Sequence, residues 1–257
     1  MNVNSNGDPD KEKQIEDSAY SPEKYDWVYS TLAVKPDGSE FVYVKAKDGT
    51  YQFIRRKIVQ GQLGEGQLLP IGAGMLKNHN VMWYEMAWRP YTEQIFFAGH
   101  DETGTDQSFL FDINTGKFCV LDFKTSTQSQ LQRVSYAHWS PDGRYLAIVR
   151  MVGGYPESFT DLFVMDVATG NSYTLAFSPD GEGRHFVGDI AWAPDNYHLV
   201  AIGRTVAPPH CDLCADDVNR LYLVDFISRK ADLIFPTFQI SGGDPGNLAW
   251  SPDGTKI

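Results

Sequence analysis

Along most of the chain, short runs of apolar and β-branched residues alternate with breaks rich in Pro, Asp and Gly. Runs of this length, bounded by turn residues, predict β-strands. The segment 135–177 is the clearest. Ser135-Tyr-Ala-His-Trp139 predicts a short strand, and Ser140-Pro141-Asp142-Gly143 suits a type I turn, with Pro preset at the second position and Gly at the fourth. Arg144–Arg150 predicts a second strand rich in β-formers, Asp161–Asp166 a third and Ser172–Phe177 a fourth. Ala168-Thr169-Gly170-Asn171 turns the third into the fourth, giving an antiparallel meander of four strands.

That unit recurs. Its signature reads LAVKPDG (32–38), MAWRPYT (86–92), AHWSPDG (137–143), IAWAPDN (190–196) and LAWSPDG (248–254). The anchoring prolines are Pro36, Pro90, Pro141, Pro194 and Pro252, so the gaps are 54, 51, 53 and 58 residues. The second copy predicts strands at Tyr84–Trp88, Gln94–Ala98, Ser108–Asp112 and Phe118–Asp122. The fourth predicts them at Asp189–Trp192, His198–Gly203, Arg220–Asp225 and Ala231–Phe235. The first, more divergent, gives Thr31–Val34, Glu40–Lys45, Tyr51–Ile58 and Gln67–Ile71. Ser178-Pro179-Asp180-Gly181 copies the turn sequence out of phase and reads as a loop between repeats.

Two further positions repeat in register. Trp88, Trp139, Trp192 and Trp250 stand two residues before the proline, with Val34 there in the first copy. Asp112, Asp166 and Asp225 end the third strand. The tryptophans are expected to fill the space between neighbouring sheets. The aspartates are expected to accept backbone N–H bonds in Asx turns, with no catalytic part.

A period near 50 residues with four strands per unit is the pattern of β-propeller blades. Trp-Ser-Pro-Asp-Gly followed by (Arg/Thr)-(Tyr/Lys)-(Leu/Ile) resembles the repeat of TolB-like propellers, also called the WD-like propeller repeat. It is also similar to the propeller domains of prolyl oligopeptidase-type peptidases. The resemblance covers about residues 27–257. It implies an all-β propeller with blades at about 27–75, 82–125, 132–179 and 186–240, plus a partial blade at 246–257. Six blades are usual in such rings, so the chain is expected to be a piece of a longer, ring-closing protein; the alternative is a natural end, with the stub pairing to the segment around Tyr25–Tyr29.

Composition fits one large all-β domain: 257 residues, 42% hydrophobic and 13% aromatic. Residues 1–23 are polar and read as a solvated tail, leaving 24–257 for the propeller. No apolar run predicts a membrane span, and no h-region of a secretory signal is visible. The expected compartment is the cytosol if Met1 is the true start and the periplasm if the N-terminus was trimmed. A net charge of −11 argues against nucleic acid and anionic membranes as partners. The basic run Arg55-Arg56-Lys57 reads as a solvated strand end.

Candidate chemistry is sparse. No Gly-x-Ser-x-Gly elbow, His-Glu-x-x-His, P-loop or Gly-x-Gly-x-x-Gly occurs within the chain, and no cofactor is expected. His210, Cys211 and Cys214 form a Cys-x-x-Cys with an adjacent His. A structural zinc site needs a second such pair, and the remaining cysteine, Cys119, does not supply one. The segment therefore reads as a polar loop, and no metal is expected.

In each repeat the first-to-second and third-to-fourth links are expected to be tight, and the other links long. Long loops on a rigid scaffold are where binding usually resides. That face would carry His100, Asp101, Glu102, Tyr155, Glu157, Arg184 and His185. The leading expectation is a non-catalytic scaffold that binds a protein or peptide there. The alternative is the accessory propeller of a prolyl oligopeptidase-type serine peptidase whose catalytic domain lies beyond the chain end. A lactonase-like enzyme using the loop face ranks third.

Overall fold

The computed structural model describes residues 32–47, 50–70, 85–100, 106–121, 123, 134–152, 159–175, 185–205, 218–238 and 248–257. Among them every regular element is a strand. The strands form four antiparallel sheets, each built from one repeat.

The first sheet contains β1 (Leu32–Val34), β2 (Glu40–Lys47), β3 (Thr50–Val59), β4 (Gln62–Leu63) and β5 (Gln67–Leu68). The second is β6 (Glu85–Trp88), β7 (Gln94–His100), β8 (Asp106–Asp112) and β9 (Phe118–Leu121). The third is β10 (Val134–Trp139), β11 (Tyr145–Val152), β12 (Phe159–Asp166) and β13 (Asn171–Leu175). The fourth is β14 (His185–Trp192), β15 (His198–Thr205), β16 (Val218–Asp225) and β17 (Lys230–Phe238). Strands pair with their sequence neighbours in the last three sheets, as in a meander.

The first repeat departs from the sequence reading. In place of one fourth strand at Gln67–Ile71, β3 turns at Gln60-Gly61 into the two-residue β4, and Gln67–Leu68 pairs separately with β3. Both turn residues have positive φ, 52° and 73°, the conformation of the tight hairpin turns that match strand twist. Its second-to-third link is also short, residues 48–49 only, unlike those of the later repeats. Arg55-Arg56-Lys57 lies within β3 and not at a solvated strand end. Arg55 pairs with Glu40 and Glu93, and Arg56 donates from Nη1 to the Gly64 carbonyl at 3.1 Å.

Alternation along the strands builds three apolar layers between the four sheets. On β7, Ile95 and Phe97 point to the first sheet and pack with Val42, Val44, Phe53 and Trp88. Phe96 and Ala98 point the other way, to Trp139, Leu146 and Ile148 of the third sheet. Tyr145, Ala147 and Val149 then meet Trp192, Leu199, Ala201 and Tyr222 of the fourth. The two middle sheets are thus buried on both faces, which is why their second strands read as unbroken apolar runs.

The prolines end the first strands. Backbone turns close from Gly38 N to Lys35 O, Gly143 N to Ser140 O, Asn196 N to Ala193 O and Gly254 N to Ser251 O. Gly38, Gly143 and Gly254 are left-handed there, with φ near +70°, and Asn196 takes the same place at +66°. The second repeat closes from Thr92 N to Arg89 O, with the exposed Tyr91 carrying the positive φ of 58°. In the fifth copy, Trp250 and the turn at Ser251–Gly254 are present without a strand among the described residues.

Candidate functional site

The first strands of the sheets lie side by side: β1 against β6, β6 against β10 and β10 against β14. Along β1, β6 and β10 runs an open cleft of about 400 Å³. Residues of all three strands line it, but Met86, Trp88, Ala137 and Trp139 are buried in the layers between sheets, so its exposed apolar surface is chiefly that of Leu32 and Val34. Leu32 and Val34 are each 49% exposed, because they face away from the layer that buries Ala33.

Two titratable side chains line this cleft, Glu85 at the start of β6 and His138 near the end of β10. A third, Asp189 of β14, lies close by and is buried. Asp189 accepts the N–H of Ile190 at 2.8 Å and that of Leu248, from the fifth repeat, at 2.6 Å. His138 Nε2 is 3.5 Å from its Oδ1. Glu85 is pushed up to about 8, by burial first and by the Asp189 charge second, with the Met86 N–H opposing. This trio had no sequence signal. Glu85 and Asp189 hold the same place, five residues before Pro90 and Pro194, but other residue types fill it elsewhere: Thr31, Tyr136 and Asn247.

The repeated residues serve the scaffold. Trp139 Nε1 donates to Ala87 O at 3.1 Å, Trp192 Nε1 to His138 O at 2.9 Å and Trp250 Nε1 to Ala191 O at 3.2 Å. In each case the acceptor is the residue before the tryptophan position of the preceding repeat. Trp88 donates instead to Thr92 O, in its own turn, at 2.9 Å. Lys35 and Arg89, from the preceding repeats, sit 5.4 Å and 5.3 Å from the Trp88 and Trp139 rings.

The aspartates close their turns. Asp112 accepts the N–H of Thr115, Asp166 those of Ala168 and Thr169, and Asp225 those of Ile227 and Ser228. Burial alone would raise the Asp166 carboxyl, but Arg144 and the two N–H groups outweigh it and hold it below its ordinary 3.8.

Of the residues expected to form a binding face, His100 is the last residue of β7 and His185 the first of β14. Asp101, Glu102, Tyr155, Glu157 and Arg184 lie outside the described residues, as do His210, Cys211, Cys214 and the out-of-phase Ser178–Gly181. Near that end of the sheets stands a polar cross-link which sequence reasoning missed. Thr160 Oγ1 donates to Val187 O at 3.1 Å and accepts the Val187 N–H, joining β12 to β14.

Four antiparallel sheets stacked in sequence order through their first strands are the blades of a β-propeller. Solved structures share the fold. A putative TolB from Agrobacterium tumefaciens aligns at 17% identity and a TM-score of 0.53, over 87% of this chain and 70% of that one. An oligogalacturonate lyase in complex with manganese aligns at 15% and 0.57, over 88% and 60%. A puromycin hydrolase mutant complexed with PGG aligns at 15% and 0.52, over 88% and 32%. The chain therefore spans less than two thirds of the lyase and about a third of the hydrolase. No protein-family model matches the sequence, and no curated protein matches it. The shared property is a TolB-like propeller fold, which hosts unrelated functions.

Proposed function

We propose that the protein is a non-catalytic propeller module that binds a protein or peptide partner at the end of the sheets opposite the proline turns. One observation carries this reading. At the turn end, polar side chains such as Asp112, Asp166, Asp195 and Asp225 are spent on closing their own turns. At the opposite end, the links 101–105, 153–158 and 206–217 differ in length from repeat to repeat on a repeating frame. Variable loops on a rigid frame are suited to recognition. The test is hydrogen exchange of the protein alone and with an affinity-captured partner. Protection concentrated in 101–105, 153–158 and 206–217 supports the reading. Protection confined to the turns around Pro36, Pro90, Pro141, Pro194 and Pro252 overturns it.

A second reading, the accessory propeller of a prolyl oligopeptidase-type peptidase, is favoured by the alignment with about a third of the puromycin hydrolase chain. Labelling of the complete natural gene product by a fluorophosphonate separates the two, since the first reading predicts none.

A further inference from the structure

We infer that the cleft along the first strands binds an alkylammonium group, the amino terminus or a lysine side chain of a bound peptide, with Glu85 as its counter-ion. The inference rests on the reading of the protein as a peptide-binding module for the source of the amine. It stands on two independent observations.

The first is the space. About 400 Å³ lies open between β1, β6 and β10, room for a side chain and its neighbouring backbone. The exposed Leu32 and Val34 suit the methylene stem of an amine.

The second is an uncompensated acid. Glu85 lines the cleft, and the charge it meets is another carboxylate, Asp189. The groups around it are His138 from β10, Asp189 from β14 and the uncharged Ala98 opposite it on β7. Among the described residues, no Lys or Arg acts on it. Elsewhere in the fold half-buried acids are matched: Glu40 and Glu93 hold Arg55 and Lys35 between the first two sheets. A carboxylate turned into a cleft without such a partner is complementary to a cation brought by a ligand.

Binding is then linked to protons. Glu85 is mostly protonated at neutral pH and must release its proton to face an ammonium. Affinity should rise about tenfold per pH unit up to about pH 8. The two amine sources separate above that. An amino terminus loses its own charge near pH 8, so its affinity falls again, whereas a lysine keeps its charge to about pH 10.

The experiment titrates the 257-residue protein with three short peptides, following tryptophan fluorescence and binding heat. Gly-Gly-Leu amide carries a free amino terminus, acetyl-Gly-Lys-Gly amide carries a lysine only, and acetyl-Gly-Leu-Gly amide carries no amine. Binding of one or both amines at least tenfold tighter than the neutral peptide, with the stated pH profile and loss in Glu85→Gln, supports the proposal. The pH series on the unsubstituted protein stands even if the variant does not fold. Equal binding of the neutral peptide, no binding of either amine, or a folded Glu85→Gln that binds unchanged overturns it. If neither amine binds but a captured partner still protects the loop end, the module reading stands while the cleft assignment falls.

Discussion

The indole N–H of Trp192 is 2.9 Å from the carbonyl oxygen of His138, fifty-four positions earlier and in the next sheet. The tryptophan fills the layer between sheets and also satisfies a first-strand carbonyl there. Trp192→Phe keeps most of the ring packing against Tyr145 and Phe226 but removes this bond between sheets. The expected loss is about 0.5–1.5 kcal/mol by chemical denaturation. Trp88→Phe loses a bond within one turn, so the coupling between its sheets should change less. Double-mutant cycles, Trp192 with a residue of the third sheet and Trp88 with one of the first, read the difference.

Glu85 sets a pH dependence of stability. Its folded value, about 8, lies above its ordinary 4.5, so the folded state binds the extra proton between those values. Stability should therefore fall as pH rises from about 4.5 to 8. Glu85→Gln removes this slope and should be the more stable protein at pH 8.5, by on the order of 1–3 kcal/mol. Melting curves of both proteins at pH 5, 7 and 8.5 check it.

Asp166 works in the opposite direction. Its carboxyl is held below 3.8, as are those of Asp195 and Asp225, so their contributions are present above about pH 4 and lost as pH falls through the folded values. Asp166→Ala should cost about 1–2 kcal/mol at pH 7 through the two stranded N–H groups. The difference from the parent protein should shrink below pH 4 in an acid titration followed by circular dichroism.

Gly143 and Gly170 share nearly the same left-handed backbone, with φ of +71° and +72°. A Cβ at Gly143 would lie 2.8 Å from the Pro90 carbonyl oxygen, whereas one at Gly170 meets nothing within 4 Å. Gly170→Ala should cost about 1–2 kcal/mol, from the backbone alone. Gly143→Ala should cost more, because the turn must also move off the second repeat, where Arg89 Nε holds the Gly143 carbonyl at 2.7 Å. Paired thermal melts distinguish them.

The meander was legible because its determinants are local. A proline at the second turn position and β-formers after it need no tertiary information, and they locate the strands of the second, third and fourth repeats within a few residues. The first repeat was misread at Gln60-Gly61, where glutamine takes a left-handed conformation that its residue type does not advertise. Glu85, His138 and Asp189 were invisible for another reason. They converge from three repeats at two different offsets from the proline, so only the packing of first strand against first strand brings them together.

The tryptophan bonds also have a direction. From the third repeat on, each indole reaches back to a carbonyl of the repeat before it, and never forward. On a chain made from its N-terminus, the acceptor is always in place before the donor emerges. Every new blade thus arrives carrying the latch for a strand already laid down. The first two repeats, where Val34 stands for tryptophan and Trp88 bonds its own turn, join without one. That junction rests on apolar packing and on the Lys35, Arg55, Glu40 and Glu93 ion pairs, so raised salt should loosen this end of the array first.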